Sequence, residues 1–588
     1  MDTVRIRYIK EWISQLPSGN ITYKTIKGKR YPYYQWTENG KQHARIVKPD
    51  ELQELSEKIA NRKDLEKKLK EAGATEDILS DNFYFSSVKV GSELFQYAEA
   101  VKDLKKRSCY EELHNYVYGQ SRDRVFILYG LRRTGKTTLI RQLIADMTED
   151  MLMQTAFIQI NQTIDLAKIN IDLKQLSKQG YRYMFIDEVT MMNDFIDCAA
   201  LFSDVYASEG IKIVLSGTDS LGFLFSRERE LYDRCFMVHT TFIPYAEFEN
   251  VLGIKGIDEY IRYGGTMSLG GVNYNADGMT FATAQSTDEY VDSAIAQNIQ
   301  HSLKNYADGE RFRSLIELYD AKELTSAINR VVEDINHRFT IEVLTRDFKS
   351  GDISRSAKNL IRDKDRPSDI LYQIDSDALN DRLRELLEIK NKSEQSVTIR
   401  DAHRTEIREY LDMLDLTVEL DIVTMTDLNL KKSRTAFSQP GMRYAQAEAL
   451  VKTLMRDDLF RMLSLAERNR VTERILTDIR GRMMEDIVLL ETKLAKPKCE
   501  VFQLTFASGE FDMVVFDPDA ASCSIYEIKH STEKHPKQIQ HLIDERKCAE
   551  TEHRFGTITG KYVIYRGEND VANDIQYLNV EEYLKKLR

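Results

Sequence analysis

Cysteine is scarce: six in 588 residues, Cys109, Cys198, Cys235, Cys499, Cys523 and Cys548, with no Cys-x-x-Cys pair. Such spacing supports neither a disulfide framework nor a zinc site, and it points to a reducing cytosol. Long apolar runs are also lacking, none approaching the ~20 residues that a membrane span requires. The first dozen residues are polar, with Arg5, Arg7, Lys10 and Glu11. The expectation is a soluble, cytoplasmic protein that is not exported and has no membrane partner. Positive charge is in deficit, the net being −11. That excludes a chain coating nucleic acid along its whole surface, and leaves room for local basic patches. What remains is an ordinary globular composition, 42% hydrophobic, and a length that suits three or four domains.

Residues 124–138 read Arg-Val-Phe-Ile-Leu-Tyr-Gly-Leu-Arg-Arg-Thr-Gly-Lys-Thr-Thr. An apolar strand breaks into a Gly-bounded loop and resumes as an amphipathic helix, a complete match to G-x-x-x-x-G-K-[ST] in the right context. Gly130 and Gly135 bound a loop tight enough for its N–H groups to wrap phosphate oxygens. Lys136 reaches the β and γ phosphates, and the Thr137 hydroxyl can ligate Mg²⁺. Arg133, Thr134 and Thr138 belong to the same nucleotide-binding motif. About fifty residues on, Tyr181-Arg-Tyr-Met-Phe-Ile-Asp-Glu188 is an apolar strand ending in two acids. Asp187 then holds Mg²⁺ through water, and Glu188 orients the attacking water, which argues for ATP hydrolysis rather than binding alone. The next strand ends in Ser216-Gly-Thr-Asp-Ser220, which places Thr218, or Ser216, as a γ-phosphate sensor or an ordinary helix cap. Arg227, Arg229 and Arg234 follow, one of them a candidate arginine finger acting in cis or from a neighbouring subunit.

Residues 1–50 hold ten Lys/Arg against four Asp/Glu, with lysines and arginines interleaved among Tyr23, Tyr31, Tyr33, Tyr34 and Trp36. The mixture suits a small β module that either binds nucleic acid or carries a solvated basic face. Residues 49–72 alternate acid and base on an apolar stripe, Leu52, Leu55, Ile59, Leu65 and Leu69, expected to be an exposed spacer helix or a dimer contact. Residues 264–287, with five glycines, read as a loop or hinge, and 288–395 as successive helices.

The closing region carries a second candidate chemistry. Gly509-Glu-Phe-Asp-Met-Val-Val-Phe516 and Ile525-Tyr-Glu-Ile-Lys529 read as paired strands around an Asp517-Pro-Asp-Ala turn. A turn centred on Asp519 and Ala520 sets Asp512 opposite Glu527, with Lys529 two residues along the same face. Two carboxylates so placed would share a divalent metal, and the lysine would orient or activate water against a phosphodiester.

The motifs at 130–138, 185–189 and 214–220, with Asp233-Arg234, Ile243-Pro-Tyr-Ala-Glu-Phe248 and Tyr263-Gly-Gly265, resemble a large prokaryotic group. It is the AAA-type ATPases, similar to the STAND and archaeal ATPases, that carry a winged helix and a C-terminal PD-(D/E)XK nuclease-like domain. The resemblance implies that Arg234 is the functional arginine, that His403 to Leu416 opens a winged helix, and that 476–588 has the restriction-endonuclease-like fold; a winged helix can read DNA, but Glu406, Glu409 and Asp412 beside His403, Arg404 and Arg408 favour a structural role. Within that domain it makes Glu485 the helix acid near the metal, Asp512 and Glu527 ligands, and Lys529 catalytic, with Gln538 and Gln540 on the helix that follows. Leu16 to Tyr31 resembles a module found at the front of various bacterial proteins.

The expected fold is therefore α/β. Its divisions are a basic β module at 1–48, a helical linker at 49–104, a P-loop AAA-type ATPase at 105–265, a hinge and helical region at 266–395, a winged-helix-like domain at 396–475, and a nuclease-like domain at 476–588. Its cofactors are ATP and Mg²⁺, with Mn²⁺ an option at the nuclease site. Its partners are DNA and further copies of itself through the ATPase. The expected function is nucleotide-gated cleavage of DNA, a setting that suits defence against foreign DNA. The alternative is an ATP-driven switch or remodeller whose last domain binds DNA or protein without cutting.

Overall fold

The computed structural model describes residues 13, 16–26, 28–38, 41–71, 84–192, 195, 199–218, 222–223, 231–267, 287, 290–296, 299, 312–349, 399–426, 432–456 and 464–587. Arg227, Arg229, the bulk of the glycine-rich stretch and most of the expected helical region lie outside them. The chain divides into two compact units. One takes Met1–Tyr129, Lys136–Thr218 and Gly222–Val238. The other takes Gly130–Gly135, Asp219–Leu221 and His239–Arg588.

The first unit opens with a three-stranded antiparallel meander, β1 (Asn20–Ile26), β2 (Lys29–Glu38) and β3 (Lys41–Ile46), followed by helix α1 (Pro49–Glu71). Tyr34, Val47 and Ile59 form a small core with Ile21, Trp36, Leu52 and Leu55 around it. Leu65 packs with Met153, Ile13 and Leu16. Leu52, Leu55, Ile59 and Leu65 of the apolar stripe of α1 are thus used within its own unit, the side chain of Leu69 lying outside the described ones. The helix completes the β module instead of acting as a free spacer, because a three-stranded sheet with one apolar face needs a cover.

The same unit holds a six-stranded sheet in the order β4 (Ser87–Lys89), β6 (Thr155–Gln159), β7 (Tyr183–Asp187), β8 (Lys212–Gly217), β5 (Val125–Tyr129), β9 (Cys235–His239). Strands β5 to β8 run parallel, and β4 joins antiparallel. Val125, Ile127, Leu128, Met184, Ile186, Val214 and Leu215 are fully buried, as continuous apolar strands in a parallel sheet should be. Strand β8 lies between β5 and β7. Its tip is thereby placed beside the acids that end β7.

The second unit is built on an eight-stranded mixed sheet ordered β11 (Lys432–Phe437), β10 (Thr417–Thr424), β12 (Glu500–Thr505), β13 (Glu510–Asp517), β14 (Ser522–Lys529), β15 (Thr557–Tyr565), β17 (Ile575–Asn579), β16 (Asp570–Ala572). Its first helices are α2 (Tyr245–Leu252) and α3 (Ile257–Tyr263), which belong here although they were expected to close the ATPase domain. Glu491 accepts the Tyr245 N–H at 2.7 Å, Glu581 accepts that of Ile257 at 2.9 Å, and Lys585 pairs with Glu249 at 2.7 Å. Carboxylates from the C-terminal fold thus satisfy amide groups at the starts of both helices.

The expected winged helix is also redrawn. Its helix, α4 (Asp401–Met413), is present, but the hairpin after it does not stand apart as a wing. β10 pairs in parallel with β12, from Asp421↔Phe502 to Thr424↔Thr505, so the hairpin widens the larger sheet. After α5 (Pro440–Leu454) comes one helix, α6 (Leu465–Ala495), which runs through the expected boundary at 475–476. Ile475, Ile479, Met483 and Ile487 of α6 recur every four residues and join Met513, Val515, Tyr526 and Ile528 in one core. The other face packs Val514, Ile525 and Val563 with Phe555 of α7 (Glu545–Phe555). Among the described residues no helix is long and apolar enough to cross a membrane.

Candidate functional site

At the end of β7, Asp187 is buried and accepts two hydrogen bonds, one from Thr137 Oγ1 at 2.8 Å and one from Ser216 Oγ. The P-loop threonine and the strand-end acid are thus brought together, the arrangement in which both reach one Mg²⁺. Glu188 turns away in the left-handed region (φ 56°), and its Oε2 accepts from Thr218 Oγ1 at 3.2 Å. Ser216 and Thr218, which sequence could not separate, take different jobs: Ser216 steadies Asp187 and Thr218 steadies Glu188. Lys136 is buried and opens the helix Lys136–Asp146, which also carries Thr138.

Within the second unit, the loop Gly130–Gly135 is pinned from inside. Leu131 N–H donates to Thr241 Oγ1 at 3.1 Å, Thr134 Oγ1 donates to the Leu131 carbonyl at 2.8 Å, and Thr134 and Thr240 share a hydroxyl contact of 2.8 Å. Gly130 (φ 142°) has no room for a side chain, since a Cβ would lie 2.6 Å from Thr240 Oγ1 and 2.9 Å from Thr241 N. Gly135 and Arg133 also have positive φ, 87° and 64°, and the Arg133 carbonyl accepts Met267 N–H at 2.7 Å. Thr240 and Thr241 carried no motif. The only signal for them was their place directly after the strand Cys235–His239.

Arg234 stands elsewhere. Its carbonyl accepts the N–H of Val125, the first residue of β5, and its guanidinium pairs with Asp204 at 2.8 Å. Tyr129, where the P-loop begins, is four residues further along that strand, a distance of about 13 Å.

A second cluster lies on β13 and β14. Their register, Met513↔Tyr526 through Asp517↔Ser522, puts Asp512 and Glu527 one step beyond the first pair. Both acids are about 2% exposed. Lys529 Nζ donates to Asp512 Oδ2 at 2.6 Å and lies 2.8 Å from Glu527 Oε2, and Ile528 N–H donates to Asp512 Oδ2 at 2.7 Å. Glu527 Oε1 is buried with no hydrogen-bond partner. Burial, then the charge of Asp512, push the Glu527 carboxyl well above the usual carboxylate range. Burial works against the charge on Lys529, but Asp512, Glu527 and Glu485 outweigh it and raise the ammonium above its ordinary value. Two buried carboxylates, one with an unused oxygen, fit a hard divalent cation.

Glu485 lies near enough for its charge to act on Lys529 and pairs with Arg482 one helical turn away; among the described residues no group of three metal-ligating side chains forms. Gln538 also has a structural occupation: it ends a 3₁₀ turn (Pro536–Ile539) and donates to Ser531 Oγ at 2.8 Å and the Glu533 carbonyl at 3.0 Å. Sequence reasoning missed His530, next to Lys529. Its Nε2 contacts Asp258 of α3 at 2.6 Å, and Arg566 holds the same carboxylate at 2.8 Å.

Comparison with known proteins gives two family matches. Residues 122–249 match the family described as AAA domain, and residues 3–57 match a domain of unknown function, DUF6788. No curated protein matches the chain. Among solved structures it is similar to Saccharomyces cerevisiae Hsp104 in an extended complex with casein, at 15% identity and a TM-score of 0.23. That alignment covers 46% of this chain and 51% of the other, so the chain spans about half the length of that relative. It is also similar to the Aeropyrum pernix ORC1 protein in complex with DNA, at 13% identity and a TM-score of 0.20, over 64% of this chain and 96% of that one. The carboxylate–hydroxyl geometry around Asp187 and the match over residues 122–249 together make this region an AAA-type ATPase core.

Proposed function

We propose that the chain hydrolyses ATP at Lys136, Thr137, Asp187 and Glu188 and uses the nucleotide state to control metal-dependent cleavage of DNA at Asp512, Glu527 and Lys529. One observation carries the nuclease reading: two buried carboxylates converge on one lysine while Glu527 Oε1 has no partner. Asp512 and Glu527 would hold Mg²⁺ or Mn²⁺, which when bound supplies Lewis-acid activation of a phosphodiester and its attacking water. Lys529 would orient the water and balance charge as the water oxygen bonds to phosphorus, its proton passes to solvent and the opposite P–O bond breaks. In the ATPase, Glu188 orients the water that attacks the γ phosphate while Thr218 holds its carboxylate in place.

A second reading has its own support. The pairing of Glu485 with Arg482 competes with metal ligation, and among the described residues no group of three metal-ligating side chains forms, which suits a domain that binds DNA without cutting. The test is cleavage of linear and supercoiled DNA with Mg²⁺ or Mn²⁺, with and without ATP. Lys529→Ala is expected to lose at least about a hundredfold in cleavage, since charge stabilisation at a reacting centre is worth that much. Lys136→Ala should remove the response to ATP. Intact ATP turnover with no cleavage under any condition would leave the non-cutting reading.

A further inference from the structure

The proposed function makes no use of a pocket at the end of β14. Strands β14 and β15 run parallel to a last pair, Lys529↔Tyr565. His530 and Arg566 are therefore the first residues past two neighbouring carboxyl ends, where α/β sheets take ligands. The Arg566 N–H donates to the Ser531 carbonyl at 2.9 Å and keeps the two exits together. Helix α6 contributes Arg480, whose guanidinium donates to Thr477 Oγ1 at 3.1 Å, and α3 contributes Asp258. These residues line a cavity of about 310 Å³, at the small end of the range for ligand pockets.

Two nitrogens of the lining are unused. The His530 side chain is 6% exposed, and its Nε2–H donates to Asp258 at 2.6 Å, a carboxylate that only accepts. His530 Nδ1 and Arg480 Nε are buried with no hydrogen-bond partner among the described residues. Buried polar atoms left so are costly, and a ligand that meets them is held for that reason. Charge selects the ligand. Arg480 and Arg566 are permanent cations, and Asp258 is already shared between Arg566 and His530. The nearby acids Glu473 and Glu533 are 70% and 81% exposed, so water screens them. Guanidinium groups match phosphate oxygens. Nδ1 suits a phosphate monoester, which exchanges its second proton at about pH 6: it accepts from P–OH, or donates to P–O⁻ once the ring is protonated. A diester carries a single charge and has no proton to share.

We propose that this pocket binds a phosphate monoester, either the end of a nucleic-acid strand or a free nucleotide or phosphate. The proposal does not depend on cleavage. The full-length protein is used with Lys136→Ala, which weakens phosphate binding at the P-loop, and in EDTA, so that cleavage plays no part. Anisotropy compares internally labelled oligonucleotides bearing a 5′ phosphate, a 3′ phosphate or neither, and inorganic phosphate and AMP are tested as thermal stabilisers. A terminal phosphate is expected to tighten binding about tenfold. Arg480→Ala should erase that preference and leave the hydroxyl-ended strand bound within about twofold. Thr532→Glu, at an exposed position of the lining, repeats the test if Arg480→Ala melts early. Arg546→Ala removes an equal charge from α7, outside the pocket, and should keep the preference. Strand ends without preference, together with a melting temperature that phosphate or AMP raises in the parent and not in the pocket variants, assign the free source. The proposal is overturned if neither terminal nor free phosphate is bound, if the pocket variants keep the full response, or if Arg546→Ala loses it as well.

Discussion

Asp258 holds two side chains at once, His530 and Arg566, at the end of the strand that bears Lys529. Burial opposes its charge, but the hydrogen bond and charge of His530, with Arg566 and Arg480, bring its carboxyl below the ordinary range. A carboxylate whose folded value is lowered adds stability above the ordinary carboxylate pKa, and that stability fades as pH falls through the lowered value. Asp258→Asn should therefore cost about 1–2 kcal/mol near neutral pH, the pair being partly exposed. The deficit should shrink toward nothing as both proteins are unfolded in increasingly acidic buffer. An equal deficit at every pH would show that packing, not charge, is lost.

Gly130 shows what one element demands of its first residue. The P-loop leaves β5 with φ 142° and passes within a side chain's reach of Thr240 and Thr241. Gly130→Ala combines backbone strain with a clash against main chain, a loss of about 2–3 kcal/mol. Denaturant unfolding should show that loss, together with weakened nucleotide binding. A variant as stable as wild type would mean that the loop relaxes freely. This loop and the β13–β14 hairpin were legible in the sequence because each is short-range. Gly-rich turn chemistry sets the first, and a turn at Asp519–Ala520 is enough to align Asp512 with Glu527. The β10–β12 pairing, which joins residues near 421 to residues near 502, was not legible, since either strand alone also satisfies a small separate hairpin. The partner of His530 was hidden by distance, since Asp258 reaches it across 272 positions of sequence, whereas Arg482 competes for Glu485 within one helical turn.

At the scale of the whole molecule, the expected boundary between two domains falls within a single helix. A fragment starting at residue 476 would lose β10 and the first turns of α6, leaving β12 as a bare edge and Val471 and Ile475 missing from the core. Such a fragment should aggregate, and a fragment starting at 399 should be markedly more soluble because it keeps the full sheet. Sedimentation of the two after refolding decides the matter. Equal solubility would restore the boundary at 475–476.

The hydroxyls of Thr240 and Thr241, which grip the P-loop, lie a short stretch of chain ahead of α3, and α3 holds His530 through Asp258. One spar of backbone thus bears on both the P-loop and the end of the strand that carries Lys529. Damage to that spar, whether by a proteolytic nick or a proline between Thr241 and Asp258, would be expressed as two simultaneous defects that genetics would score as a single locus.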